Sequence, residues 1–518
     1  MVFKKLKKLK VNKSPGPDKI HPRVLHEIAK SISIPVAIIY STSLRTKKLP
    51  SEWKIANVSA IYKKGNKSQA GNYRPVSLTS VLCKVLESII RDKVIDHMKD
   101  NNLFTDKQFG FISGRSTMLQ LLKVLDIWTE ILDQGGDIDI IYCDFMKAFD
   151  KVPHNRLIYK IKQYGIDGNI LGWIEDFLYN RTQTVIINDS KSRTARVTSG
   201  IPQGSVLGPL LFVLYINDLP DVVDKNTHIF LFADDTKAFR HIKSSEDNLI
   251  LQRDIDSMVT WSNIWLLKFH PQKCNMMHMG KTQDLNVSLT NHVYYMEGHP
   301  LNYSNCEKDL GVHVDRNLSF DKHINQQINK ANRIMAIVRK TFDHMDKEIF
   351  LNIYKGLIRP QLEYASSVWS PHLIKHIEAL EGVQRRATKQ IPGFSKLDYS
   401  ERLRILKLPT LKYRRLRGDM IQTFKMLHPE VGYDKSLPTF LKFASTTNLR
   451  GHSKKLFVDR CHKDIRKFSF SQRIVQYWNS LPEELISAKD VWDFEKKLDM
   501  FWSGQPLMYD DFKSDIIL

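Results

Sequence analysis

The strongest chemical signal in the chain is a pair of adjacent aspartates, Asp234 and Asp235, between two apolar runs in segment 229–239. This pattern predicts a β-hairpin with the carboxylates at its tip. Adjacent like charges repel each other, and a bound cation would relieve the repulsion; oxygen ligands favour Mg²⁺ or Mn²⁺. A solvent-exposed turn explains the pair equally well, so the motif alone does not separate a metal site from a surface turn.

A third carboxylate, Asp144, follows the apolar, β-rich run 138–145. The run predicts a buried strand that ends at this residue. Asp144 and Asp234 are 90 residues apart, so they can share a metal site only if the fold sets this strand beside the hairpin. The sequence permits that arrangement without requiring it.

A third motif, segment 199–209, contains three glycines and two prolines. It predicts a tight turn into a helix, with backbone that can approach a ligand closely. Many ordinary strand-to-helix connections have the same composition, so this motif carries weight only together with the other two.

Composition limits the function classes further. The chain has 518 residues, a net charge of +22 and 42% hydrophobic residues, which predicts several globular domains and a polyanionic partner. An anionic membrane surface is the alternative partner on charge alone. The five cysteines have no metal-binding spacing, which predicts reduced core thiols. The longest apolar stretch, 206–216, contains Pro209 and is too short to span a membrane, so a soluble intracellular protein is expected.

Hydrophobic periodicity alternates irregularly between helical and strand patterns in the first part of the chain. Helices are predicted at 81–98, 118–132, 157–179 and 206–219, and strands at 138–145, 182–188 and 193–198. After about residue 319 the pattern is mostly helical and basic, with helices predicted at 323–342, 346–358 and 373–389. The prediction is an α+β domain followed by helical modules, preceded by a solvated basic tail at 1–13.

The three motifs, in this order and with these spacings, resemble the reverse transcriptases of non-LTR retrotransposons of the jockey and chicken-repeat type. Further matching segments are 13–18 (KSPGPD), 61–65 (IYKKG), 72–78 (NYRPVSL), 108–111 (QFGF), 114–117 (GRST), 265–273 and 308–315 (KDLGVHVD). The resemblance covers roughly residues 13–395, and segment 478–482 (WNSLP) resembles the typical end of such elements.

The resemblance implies a right-hand polymerase, an α+β fold with a mainly helical C-terminal extension. Its expected parts are the basic tail 1–13, fingers and N-terminal region 14–135, palm 136–315, thumb-like helices 316–395 and a basic helical extension 396–518. The implied activity is RNA-directed DNA polymerisation by two-metal phosphoryl transfer, which copies retrotransposon RNA into DNA. The implied partners are an RNA template, a DNA primer, their RNA–DNA hybrid and dNTPs, with no membrane partner.

The resemblance also assigns the carboxylates. Asp144, Asp234 and the carbonyl of Phe145 would hold two Mg²⁺ ions, with Mn²⁺ as an alternative, and Asp235 would shape the field with looser metal contact. Phe149 would lie under the incoming sugar and exclude a 2′-hydroxyl, the group that distinguishes ribonucleotides from deoxyribonucleotides. The alternative for Phe149 is a plain core aromatic.

Two cationic residues match positions that bind the triphosphate. Lys63 would supply a point charge and Arg74 a planar bidentate donor. Because Lys64 and Lys67 lie close in sequence, either of them could replace Lys63 as the contact.

The glycine-rich motif and one further lysine complete the implied site. Gln203 and Gly204 would line the dNTP and template. Lys273 matches a lysine that could protonate pyrophosphate as a general acid, with an ordinary surface lysine as the alternative.

Other features of the family were not found in the sequence. Only about a dozen residues precede the first matched motif, and Cys461 and His462 stand alone instead of forming a zinc knuckle; an endonuclease is therefore expected to be supplied elsewhere or absent. Two alternatives stay open: an inactive or domesticated nucleic-acid-binding protein that keeps the fold, and a maturase-like reverse transcriptase of group II introns. A nuclear location is expected for integration at a chromosome, with the cytoplasm as the alternative.

Overall fold

The computed structural model describes residues 1–188, 190–280, 292–434, 439–444 and 451–517. The strands are β1 (Ile55–Tyr62), β2 (Tyr73–Leu78), β3 (Asp137–Cys143), β4 (Arg181–Ile187), β5 (Ser190–Lys191), β6 (Ala195–Val197), β7 (His228–Phe232), β8 (Asp235–Ile242), β9 (Asn275–Met279), β10 (Tyr295–Met296), β11 (His299–Pro300), β12 (Asn302–Tyr303), β13 (Cys306–Asp309) and β14 (Val312–Asp315). Within the described ranges they form two five-stranded sheets and two hairpins.

Helices account for most of the remaining regular structure. In the first part of the chain they are α1 (Val2–Lys7), α2 (Pro22–Glu27), α3 (Ala29–Thr46), α4 (Val81–Asp100), α5 (Thr117–Asp133), α6 (Ala148–Lys151), α7 (His154–Gln163), α8 (Gly168–Leu178), α9 (Gly208–Ile216) and α10 (Ser245–Trp265). In the second part they are α11 (Asp321–Thr341), α12 (Lys347–Ile353), α13 (Arg359–Glu363), α14 (Ser366–Trp369), α15 (Ile374–Thr388), α16 (Tyr399–Leu406), α17 (Leu411–Leu427), α18 (Asp464–Lys467), α19 (Phe470–Asn479), α20 (Glu483–Ile486), α21 (Val491–Phe501) and α22 (Pro506–Tyr509).

The central sheet has the strand order β12-β9-β3-β8-β7. Strand β3 lies in its middle and pairs antiparallel with both β8 and β9. Ile140 packs into one hydrophobic core with Trp128 of α5, whereas its neighbour Ile141 packs into a second core with Leu211 of α9. Burial on both faces explains why β3 reads as an unbroken apolar run, and it confirms the strand predicted there.

The second sheet has the order β2-β1-β4-β5, with β6 on β4. Strands β1 and β2 form an antiparallel hairpin, and β4 runs parallel to β1. Arg181 at the start of β4 is buried and donates to the carbonyl oxygens of Phe177 (3.0 Å) and Trp53 (3.4 Å). These bonds tie the sheet to α8 and to the turn before β1.

The C-terminal helices share the core of the central sheet and are not a separate body. Buried Arg466 donates to the carboxylate of Asp126 on α5 at 2.6 Å. Asp133, at the end of the same helix, accepts from the backbone N–H groups of His462 (2.9 Å) and Lys463 (2.7 Å). Residues far along the chain therefore support the helix that covers the central sheet.

Several local predictions need correction. The tail expected to be solvated contains α1, whose Leu6 is fully buried and whose Lys5 pairs with Asp92 at 2.5 Å. The single helix predicted at 157–179 is two helices, because the chain turns at 164–167 with Gly165 in the left-handed region. Cys306 and Cys461 are only partly buried, unlike the other three cysteines. Among the described residues, no helix has the length and apolar character needed to cross a membrane.

Candidate active site

The paired aspartates lie where the sequence predicts them, at the tip of a hairpin. Strands β7 and β8 pair antiparallel up to Phe232 and Asp235, so that Ala233 and Asp234 form the turn. Strand β8 also pairs with β3, in a register that sets Thr236 opposite Cys143. The end of β3 therefore lies beside the hairpin tip, which confirms that the fold brings Asp144 to Asp234 and Asp235.

Asp144 is held by the segment that precedes β9. Its carbonyl oxygen accepts from the N–H of His270 (2.8 Å), and its own N–H donates to Sγ of Cys274 (3.4 Å). The next ring, Phe145, stacks on Phe269 with 4.3 Å between centroids. Lys273 lies in this segment, and its Nζ is 3.4 Å from Oδ2 of Asp144. The candidate general acid is thus paired with a candidate metal ligand.

The three carboxylates lie close enough for their negative charges to repel one another. Burial and the neighbouring charge of Asp144 raise the pKa of Asp234. Desolvation by the surrounding protein atoms raises the pKa of Asp235 to about 6, with further contributions from Asp234, Asp309 and Asp144. Repulsion of this kind is relieved by a proton or by a bound cation.

The donor set of this centre suits a hard divalent ion. Asp144 and Asp234 offer carboxylate oxygens, and Phe145 offers a backbone carbonyl next to Asp144. Within the part of the chain that the structure describes, no three His, Cys, Asp or Glu side chains converge on one point as a complete metal cage. A site with few protein oxygens and a solvent-accessible carboxylate suits Mg²⁺, because this ion keeps several of its waters and binds only one or two carboxylates.

A cavity of about 990 Å³ opens next to the hairpin tip, between the two sheets. Its lining contains Asp234 together with all five residues that the family resemblance assigns to the dNTP: Lys63, Arg74, Phe149, Gln203 and Gly204. These residues come from the β1–β2 hairpin, α6, the glycine-rich loop and the β7–β8 turn. The structure thus brings together positions that are up to 171 residues apart in sequence.

Aromatic packing holds the ring of Phe149 in the cavity wall. Phe149 stacks on Phe212 of α9 with centroids 4.4 Å apart and an interplanar angle of 18°. Phe111 meets it edge to face at 6.4 Å and is itself 52% exposed in the cavity. Phe149 is therefore packed like a core aromatic, and its ring is still accessible from the cavity. Sequence reasoning missed Phe111 as a site residue, although Phe111 lies in the QFGF segment that matches the family.

The glycine-rich loop is docked onto β2 and α6. The N–H of Ser77 donates to the carbonyl of Gln203 (2.7 Å), and Nε2 of Gln203 donates to Asp150 (2.8 Å). Gly204 has φ +111°, and a Cβ there would come within 2.7 Å of the Ser77 carbonyl oxygen. A side chain at Gly204 would therefore push the loop away from β2.

Not all predicted residues share the cavity. Asp144, Phe145, Asp235 and Lys273 are absent from its lining. Of the three lysines considered for the triphosphate, both Lys63 and Lys67 line the cavity, and Lys64 does not. The cationic side chains in the lining are Lys63, Lys67, Arg74 and Lys147.

Residues 61–314 match the family model described as reverse transcriptase (RNA-dependent DNA polymerase). The chain is 28% identical over 393 residues to a probable RNA-directed DNA polymerase from transposon X-element of Drosophila melanogaster, covering 74% of this chain and 42% of that protein. It is 28% identical over 400 residues to the RNA-directed DNA polymerase from mobile element jockey of the same fly, covering 74% and 43%. The corresponding protein from transposon BS is 27% identical over 407 residues, covering 75% and 44%.

The chain thus spans less than half the length of these relatives. The matched region contains strand β2, the central sheet, the glycine-rich loop and both carboxylate motifs. Residues 61–314 are a reverse transcriptase domain of the kind found in the RNA-directed DNA polymerases of jockey-type non-LTR retrotransposons.

Proposed function

We propose that this chain is an RNA-directed DNA polymerase that adds dNTPs to a primer 3′-hydroxyl on an RNA template. The observation that carries the proposal is the cavity in which five residues expected at the dNTP meet Asp234. The names of the relatives, RNA-directed DNA polymerases of mobile elements, support the same activity. The expected partners are an RNA template, a DNA primer, their hybrid and dNTPs.

Each group at the carboxylate centre has a role in this reaction. Asp144, Asp234 and the carbonyl of Phe145 would hold Mg²⁺, which when bound supplies charge neutralisation and activates a hydroxyl for in-line attack on a phosphate. Asp235 adds negative charge beside them without facing the cavity. Lys273 holds a proton close to Asp144, where the pyrophosphate would leave.

The opposite wall of the cavity binds the nucleotide. Lys63 and Arg74 face the space next to Asp234 and supply positive charge for the triphosphate. Phe149, packed against Phe212, would lie under the incoming sugar and exclude a 2′-hydroxyl, which would select deoxyribonucleotides. Gln203, whose amide donates to Asp150, lines the cavity where the dNTP and template would lie.

Under this proposal the molecule has the parts of a right-hand polymerase: fingers 14–135, palm 136–315, thumb 316–395 and an extension 396–518. The extension supports the palm sheet by binding helix α5 through Arg466 and Asp126. The palm carboxylates Asp144 and Asp234 would hold two Mg²⁺ ions, which would supply charge neutralisation for the reaction. A nuclear site of action follows if the product is integrated into a chromosome.

The test is primer extension on an RNA template with dNTPs and Mg²⁺. Asp234→Asn removes one charge and nearly keeps the shape, and we expect it to lower the rate at least ~100-fold. Asp256→Asn, at an exposed position of α10, is the matched control and should retain the native rate. Equal activity of the native chain and Asp234→Asn would refute the proposal. A folded native chain that binds the hybrid in a salt-dependent way but makes no DNA would favour the inactive nucleic-acid-binding alternative.

A further inference from the structure

Segment 107–110 runs along the outer side of the strand that leads into Asp234. The N–H of Phe109 donates to the carbonyl of Leu231 (2.8 Å), and the N–H of Leu231 donates to the carbonyl of Lys107 (2.9 Å). Gln108 forms the bridge partner of Leu231 in this short parallel pairing. The QFGF segment is therefore attached to β7 just before the turn.

The side chain of Gln108 reaches the turn itself. It is fully buried, and its Oε1 accepts from the N–H of Ala233 (2.9 Å) and from the N–H of Gly110 (2.7 Å). Ala233 has φ +54°, in the left-handed region that residues with a Cβ rarely adopt. A turn in this conformation must be held by its surroundings, and Gln108 supplies a bond to the strained residue.

Gly110 allows this close approach. A Cβ at position 110 would lie 2.4 Å from the backbone nitrogen of Ala233 and 3.0 Å from the backbone carbon of Phe232, which leaves no room for a side chain. The glycine of the QFGF motif is thus required where the segment touches the turn.

Arg115 of the GRST motif fixes this segment through hydrogen bonds to its backbone. Its Nη1 donates to the carbonyls of Thr105 (2.6 Å) and Gln108 (2.7 Å), and its Nε donates to Asp434 at 2.9 Å. The Arg115 side chain is only 2% exposed. A continuous set of contacts therefore runs from the C-terminal region through Arg115 and Gln108 to the turn.

We propose that Gln108 is a positioning residue for the polymerase reaction, fixing the Ala233–Asp234 turn so that the Asp234 carboxylate points into the cavity. The inference rests on the proposed function and deepens it. Gln108 touches neither nucleotide nor metal; it acts through Ala233. Its loss should lower kcat and raise the Mg²⁺ concentration needed for half-maximal activity, while binding of the RNA–DNA hybrid stays unchanged.

The test compares two buried glutamines. Gln108→Met keeps the approximate shape and removes the acceptor. Gln120→Met on α5 makes the same change at a fully buried glutamine whose amide atoms have no hydrogen-bond partner among the described residues. With both variants scaled to the folded fraction, we expect kcat of Gln108→Met to fall about 10- to 100-fold, because a displaced catalytic group costs this much. Gln120→Met should retain the native kcat.

A third variant separates positioning from loss of packing. Gln108→Glu keeps an oxygen in place of Oε1, so it should be about tenfold more active than Gln108→Met. A kcat of Gln108→Met within about twofold of the native value, an equal loss in Gln120→Met, or no difference between the Glu and Met variants would each overturn the proposal.

Hydrogen exchange of the Ala233 amide in the native chain tests the contact without any catalysis or variant. Strong protection of this amide supports the Gln108 bond, and exchange as fast as in an exposed turn overturns it. If the native chain does not extend a primer, the proposed function fails, and the exchange result still decides whether Gln108 holds the turn.

Discussion

Replacing Asp235 with asparagine should stabilise the protein at neutral pH. In the folded state the pKa of Asp235 is raised from 3.8 to about 6, first by desolvation and then by the charges of Asp234, Asp309 and Asp144. The folded state therefore holds this proton more tightly than the unfolded state. The contribution of protonated Asp235 to the free energy of unfolding is fully present below pH ~4. It falls as the pH rises towards ~6 and is lost above that pH.

The size of the effect follows from the pKa difference. A rise from 3.8 to about 6 corresponds to roughly 3 kcal/mol at most, at 1.36 kcal/mol for each pH decade. Because Asp235 is only partly covered by protein atoms and keeps contact with water, solvent screening reduces this to about 1 kcal/mol. For a protein of this size that is a rise in Tm of roughly 1 to 2 °C.

The assay is thermal unfolding of the native chain and Asp235→Asn between pH 4.5 and 8 in the presence of EDTA. The difference in Tm between Asp235→Asn and the native chain should be largest above pH ~6.5 and decrease towards pH 4.5. Asp224→Asn is the matched control with the opposite sign, because Arg240 lowers the pKa of Asp224 through a 2.8 Å bond. A variant at position 235 that is less stable than the native chain at pH 7.5, or whose advantage does not change with pH, would refute the reasoning.

Three further results are expected. MgCl₂ should raise the Tm of the native chain, and Asp234→Asn should remove most of that rise because a ligand is lost; an equal rise in both would contradict the metal assignment. Phe149→Ala, which removes the ring stacked on Phe212, should raise ribonucleotide incorporation relative to dNTP by roughly tenfold or more, measured in paired extension assays; an unchanged ratio would contradict its role. Lys237→Met should lower the free energy of unfolding, measured in urea, by ~3 to 5 kcal/mol, because it leaves the buried carboxylate of Asp309 (5% exposed) without its ion-pair partner. The double variant Lys237→Met with Asp309→Leu should regain most of this loss. Additive losses in the double variant would contradict the pairing.

Local features were predictable wherever they depend on residues close in sequence. The Asp234–Asp235 tip, the strand before Asp144 and the long helix α4 all follow from periodicity and turn chemistry within about twenty residues. The buried α1 was not predictable in this way, because its lysines dominate the composition while its two buried residues depend on contact with α3 and α4. The split between α7 and α8 was missed because both halves have the same helical spacing.

At the candidate site, too, single positions could be predicted from the sequence, whereas their arrangement in space could not. The resemblance supplied Lys63, Arg74, Phe149, Gln203 and Gly204 as separate positions, and the structure joins them in one cavity with Asp234. It does not place Asp235 or Lys273 there. Phe111 and Gln108 lay in a matched segment, yet nothing in that segment indicates that one faces the cavity and the other the hairpin turn.

The sequence by itself determined the chemistry available to this protein: paired carboxylates at a turn, a further carboxylate after a strand, a close-packing glycine loop and an excess of positive charge. Tertiary structure alone decided which of these groups meet. Pairing of β3 with β8 sets Asp144 beside Asp234 across 90 residues of chain, and the bond from Gln108 to Ala233 shapes the turn. The physical reason is that turn and strand preferences act between near neighbours, whereas strand pairing and the burial of a polar side chain are settled only when distant segments pack together.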